Sequence, residues 1–139
     1  VAETIAGLET RPVDDNLVPK VTFCEPEIAS VGLSEAKAKD KYGADAVVTS
    51  EFNVAGNAKS QILGTQGFVK LVALKDGPIV GFHAIGARMG EQVGEGQLMV
   101  TWEAYADDVA ALVHAHPTQN ETLGEAAMAL AGKPLHNHG

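Results

Sequence analysis

The stretch Gly67-Phe68-Val69-Lys70-Leu71-Val72-Ala73-Leu74-Lys75-Asp76-Gly77-Pro78-Ile79-Val80-Gly81-Phe82-His83-Ala84-Ile85 decides the fold. Two runs rich in β-branched and aromatic residues flank Lys75-Asp76-Gly77. Asp-Gly tolerates the positive φ that a tight antiparallel turn requires, so the stretch predicts a β-hairpin.

Upstream, residues 18–24 and 28–33 also read as strands, interrupted by Glu25-Pro26-Glu27. Proline cannot donate to a ladder and marks an edge or a bulge. Ser34 is a good N-cap for the helix-favouring run Glu35-Ala36-Lys37-Ala38-Lys39-Asp40-Lys41-Tyr42, which Gly43 ends. Residues 46–52 form a further strand candidate, while residues 53–63, with Gly56 and Asn57, read as an irregular connection. Downstream the pattern changes. A long amphipathic helix is expected from about Gly90, carrying an apolar stripe of Met89, Leu98, Met99, Trp102 and Tyr105. Gly94 and Gly96 weaken that helix and point to close packing against a neighbour. Asp107 and Asp108 suit the start of a short helix, and residues 120–131 form a last one closed by Gly132 and Pro134. Strands first and helices afterwards imply an α+β fold: an antiparallel β-sheet of about four to five strands with helices packed on one face. Residues 1–17 divide off as a helix tail and a Pro/Asp/Asn linker, leaving residues 18–139 as the domain.

The chain has 139 residues and a formal net charge of −8. Such acidity disfavours a nucleic-acid partner. No apolar run reaches the length of a membrane span. Cys24 is the single cysteine, so it has no internal disulfide partner; its apolar neighbours Val21 and Phe23 predict a buried thiol.

Chemistry concentrates in His114-Ala115-His116-Pro117-Thr118-Gln119-Asn120-Glu121. Histidine can accept and return a proton near neutrality, and a carboxylate on one ring nitrogen fixes the tautomer. His116 and Glu121 would not align on one continuous helix. Pro117 breaks the chain between them, which lets a loop histidine meet a carboxylate in the first helical turn. The same residues also read as a capping box, Thr118-x-x-Glu121. Both readings stand at this level. The pairs His114/His116 and His136/His138 do not make a metal site, because no third and fourth ligand accompanies them; no metal is expected. His136 and His138 are expected to be solvated at the terminus. Gly86-Ala87-Arg88-Met89-Gly90 and Gly94-Glu95-Gly96 match no dinucleotide or phosphate fingerprint. The apolar stripe has two readings, internal core or subunit interface.

His114-Ala115-His116-Pro117-Thr118, followed by Glu121 and Glu125-Ala126, resembles the closing motif of the flavin-dependent disulfide oxidoreductases, and its doubled histidine resembles the dihydrolipoamide dehydrogenase branch. The resemblance extends through Pro26-Glu27-Ile28-Ala29-Ser30-Val31-Gly32, Asn57-Ala58-Lys59, the hairpin, Gly90-Glu91 and Gly132-Lys133-Pro134-Leu135-His136. Lys59 stands where arginine is frequent, and Asn120 where a smaller residue is.

This resemblance implies the C-terminal dimerisation domain of a cytoplasmic, homodimeric oxidoreductase using FAD and NAD. His116 would be the base and Glu121 its orienting carboxylate, with His116 and a cis Pro117 near the partner subunit's FAD. Dihydrolipoamide would be oxidised by NAD, and the dihydrolipoyl domain of a 2-oxoacid dehydrogenase complex would be the partner. No Cys-x₄-Cys pair or Rossmann fingerprint is present, so this part alone is expected to bind no FAD or NAD and to be inactive. The alternatives are the same domain of a glutathione- or mycothiol-type disulfide reductase, or a dimerisation module that catalyses nothing.

Overall fold

The structure is a computed structural model and describes residues 1–136. Five antiparallel strands form one sheet: β1 (Lys20–Thr22), β2 (Glu27–Gly32), β3 (Val47–Asn53), β4 (Phe68–Leu74) and β5 (Ile79–Gly86), in the order β1-β2-β5-β4-β3. The hairpin is β4–β5. Asp76 takes φ 57°, and Leu74 and Pro78 close the turn through a 3.0 Å backbone bond. The α+β expectation holds.

The helices are α1 (Ala2–Ile5), α2 (Glu35–Tyr42), α3 (Ala58–Leu63), α4 (Met89–Thr101), α5 (Ala106–Ala110) and α6 (Glu121–Leu130). α4, α5 and α6 lie over one sheet face. Alternation along the strands turns Ala29, Val31, Phe52, Val69, Leu71, Phe82 and Ala84 to that side, where they meet Met89, Val93, Met99, Val109, Leu123, Ala126 and Ala127. Burial of this apolar surface from water is the main stabilising term. A smaller cluster on the far face joins Ala38 of α2 to Val47 and Val72. The Ser50 hydroxyl donates to the Ala126 carbonyl at 2.5 Å, tying β3 to α6.

Several expectations need correction. Residues 53–63 do not wander: Asn57 caps α3, its Oδ1 accepting from Ser60 N–H at 3.0 Å. Gly56 suggested a loop, but it only ends a single 3-10 turn before that cap. Cys24 is exposed. β1 stops at Thr22, and an edge strand has a neighbour on one side only, so the apolar run leaves the sheet before Phe23 and Cys24. The stripe on α4 splits: Met89 and Met99 enter the core, whereas Leu98, Trp102 and Tyr105 face outward. Gly96 packs tightly, because an added Cβ would stand 2.6 Å from Phe82 Cγ; Gly94 has open space instead. Among the described residues, no helix is long and apolar enough to cross a membrane.

Candidate functional site

The loop between α5 and α6 carries His114 to Asn120. Both X–Pro peptides at Pro26 and Pro117 are cis. Residues 118 and 119 are anchored to the start of α3 and to the turn before α4. Asn57 Nδ2 donates to the Thr118 carbonyl at 3.0 Å. Ser60 Oγ donates to Gln119 Oε1 at 2.8 Å, and Gln119 Nε2 reaches the Ala87 carbonyl at 3.4 Å. Asn57, Ser60 and Gln119 are all buried. Their bonds form in a low-dielectric setting where an unmade partner is costly, so the loop's base is held firmly.

His116 stands on this base. Its Nδ1 lies 2.9 Å from Glu121 Oε1, and 68% of its side chain is exposed. The second Glu121 oxygen, Oε2, accepts from Thr118 N–H at 2.8 Å. One Glu121 oxygen thus meets the His116 ring and the other the Thr118 backbone, while the helix itself starts later than the capping box predicts, with Asn120 at its N-cap. The Thr118 hydroxyl does not complete the capping box; it donates to the Ala115 carbonyl at 2.6 Å. Burial pushes the Glu121 carboxyl up, but the Thr118 N–H and then the His116 ring outweigh it, and the carboxyl sits below its ordinary value. An ionised Glu121 favours the tautomer with hydrogen on Nδ1. That leaves Nε2 of His116 as an acceptor on the exposed side of the ring, able to take a proton from a group brought to it.

His114 has a different environment. Its Nε2 lies 2.9 Å from Glu95 Oε1 on α4, and its side chain is 11% exposed. The Glu95 bond raises the His114 pKa; burial opposes this, and the charges of Glu95 and Glu121 add to it. Asn120 Nδ2 donates to the other Glu95 oxygen, Oε2. Gly124 of α6 makes room for the ring, since a Cβ there would lie 2.8 Å from His114 Nδ1. Sequence reasoning assigned no role to Glu95 and little to Asn120. Asn57-x-x-Ser60 was a readable N-cap signal; the Glu95–His114 contact spans 19 residues and leaves no local mark.

His136 is solvent-exposed, as expected, but it is also tied to α6. Its Nδ1 lies 2.6 Å from Glu125 Oε1, and its backbone N–H donates to Oε2 at 3.1 Å. His138 lies outside the described residues. Among those residues, no three His, Cys, Asp or Glu side chains gather as a metal-holding group. Lys59, Arg88, Gln92 and Glu95 line an open cleft whose other wall is the loop itself, Pro117 included. The N-terminus of α4, where a phosphate might be sought, already has Gly90 N–H donating to Glu27 Oε2 at 2.8 Å.

The sequence model described as "Pyridine nucleotide-disulphide oxidoreductase, dimerisation domain" matches residues 18–127. The chain belongs to this family. The dimerisation domain is 42% identical to a protein named dihydrolipoyl dehydrogenase from Mycobacterium tuberculosis, over 94% of this chain and 28% of the relative. It is 41% identical to a Bacillus subtilis protein of the same name, over 97% of this chain and 28% of that relative. Its fold matches the crystal structure of LpdA from Mycobacterium tuberculosis with a TM-score of 0.82 at 23% identity, covering 92% of this chain and 28% of the other. The dimerisation domain thus spans little more than a quarter of the length of these relatives, 28% of each.

Proposed function

We propose that this chain, with residues 1–17 as the tail of a preceding domain, is the dimerisation domain of a cytoplasmic dihydrolipoyl dehydrogenase. In the intact homodimer it supplies His116 and Glu121 to the partner subunit's flavin–disulfide site. The observation that carries this reading is the division of the Glu121 carboxylate. One oxygen is fixed by Thr118 N–H and the other faces His116 Nδ1, leaving an exposed imidazole with its free nitrogen outward. The names of the relatives support the substrate. A face for the second subunit lies next to the loop: Leu98, Trp102 and Leu112 surround an apolar groove, and Val113, 99% exposed, directly precedes His114. Aromatic and aliphatic side chains left in water at this density favour an interface.

In that role, His116 Nε2 takes the proton of one dihydrolipoamide thiol. The resulting thiolate attacks the parent enzyme's cysteine disulfide and forms a mixed disulfide. The second substrate thiol passes its proton to the cysteine thiolate just released and, as a thiolate, attacks the substrate sulfur of the mixed disulfide; the other cysteine leaves as thiolate, giving the lipoamide disulfide and a reduced cysteine pair. Glu121 keeps the ring oriented and stabilises it while it is protonated. FAD and NAD, held by the parent's other domains, would supply the onward redox chemistry. The dihydrolipoyl domain of a 2-oxoacid dehydrogenase or related complex would present the substrate.

The test is His116→Gln in the full-length enzyme. Dihydrolipoamide oxidation should slow by about 100-fold or more, the scale for losing a general base. Electron transfer from NADH to an artificial quinone, which needs no substrate thiol, should persist. An unchanged dithiol rate overturns the proposal.

A further inference from the structure

Glu95 lies outside the His116–Glu121 pair, yet it touches the loop on both sides of it. Its Oε1 holds His114, two residues before His116, and its Oε2 accepts from Asn120, immediately before Glu121. Glu95 sits in the middle of α4, a helix whose Met89, Val93 and Met99 are rooted in the core. The lack of a side chain at Gly124 leaves the space that the His114 ring occupies, since a Cβ there would lie 2.8 Å from His114 Nδ1. We propose that Glu95 is a positioning residue for His116, resting on the function proposed above. By clamping the two shoulders of the loop to α4, it sets the distance between the loop tip and the first turn of α6. Without it, residues 114 and 120 lose their common anchor. The His116 ring and the Glu121 carboxylate are then held at their 2.9 Å separation by the bonds at Thr118 and Gln119 alone.

The clamp makes a distinct demand on chemistry. A carboxylate accepts from both donors at once. An amide of the same shape can do nearly the same work: its oxygen accepts from His114, and its NH₂ donates to an Asn120 side chain turned over. Glu95→Gln should therefore rescue most of what Glu95→Ala loses, and charge as such is secondary.

The experiment uses the full-length enzyme with dihydrolipoamide and NAD. Glu95→Ala should lower kcat for dithiol oxidation by about 10-fold or more, the scale of a small misplacement of a catalytic group. Glu95→Gln should stay within about 3-fold of the parent. NADH–quinone transfer should remain within about 2-fold in both variants. In a His116→Gln background, Glu95→Ala should add less than about 2-fold, because a residue acting through His116 has nothing left to position. A full Glu95→Ala dithiol rate, or a full additive loss in the His116→Gln background, overturns the positioning role. A silent His116→Gln would instead overturn the function on which it rests. Should Glu95→Ala lose both activities through misfolding, Asn120→Ala decides. This variant removes one arm of the clamp. A fall in dithiol oxidation alone supports the proposal, and an unchanged rate overturns it.

Discussion

Gly94 and Gly96 sit two residues apart in α4, and alanine at each should change stability in opposite directions. Alanine improves an exposed helix interior by about 1 kcal/mol relative to glycine. At Gly94 nothing lies within 4 Å of the new Cβ, so this gain acts alone. At Gly96 the Cβ would stand 2.6 Å from Phe82 Cγ, 2.7 Å from Cδ1 and 3.0 Å from Cβ. Carbon contacts are comfortable at about 3.5–4.0 Å, so the overlap is close to a full ångström. Phe82 is 0% exposed and sits in β5 between β2 and β4, with nowhere to retreat unless the sheet or α4 shifts. Overpacking of this severity costs about 3 kcal/mol, and the helix gain offsets about 1 of it. Gly96→Ala should thus lose about 2 kcal/mol, Gly94→Ala should gain about 1, and the two should differ by about 3. Urea unfolding of the 139-residue chain, followed by far-ultraviolet circular dichroism at one low protein concentration, measures this. A Gly96→Ala midpoint at or above that of the parent, with unchanged slope, would refute the reasoning.

Asn57→Ala removes the α3 cap and the donor to Thr118, so it should cost about 2 kcal/mol in the same assay; a loss below about 0.5 would show that the loop is anchored elsewhere. For His114, the folded pKa is raised above 6.5 by its bond to Glu95. Stabilisation from the protonated pair is therefore fully present below that value and lost as pH rises through the folded pKa. The stability advantage of the parent over His114→Gln should shrink as pH rises from 6.5 through the raised folded pKa, and an advantage that grows with rising pH would contradict the assignment.

What could be read from sequence was local. The Asp76-Gly77 turn, the Ser34 cap and the closing Gly132 each act within a few residues, and each appears where expected. His116 and Glu121 were legible for the same reason: five residues and an intervening proline define their relation. The misreadings arose where tertiary context decides. Asn57 looked like loop chemistry because Gly56 precedes it, although its side chain is a helix cap that also reaches residue 118. Cys24 lies in an apolar run that leaves an edge strand, and the run's composition carries no record of where the sheet ends. Glu95 faces His114 because α4 crosses the sheet beside the loop, a consequence of packing that no spacing rule encodes.

The relation between the capping and relay readings of Glu121 follows from carboxylate geometry. A cap needs one acceptor aimed at a backbone N–H, and an orienting partner needs one acceptor aimed at an imidazole. A carboxylate has two equivalent oxygens, so a single rotamer can satisfy both. The bond to Thr118 N–H fixes the rotation that would otherwise let the second oxygen drift from His116. The exposed imidazole thus inherits its order from a chain of bonds behind it: Asn57 holds Thr118, Thr118 holds Glu121, and Glu121 orients the His116 ring. In the role proposed for His116 the ring has to be exposed, and an exposed side chain has no packing of its own to hold it. Placing the rigidity one and two bonds behind the ring meets both requirements.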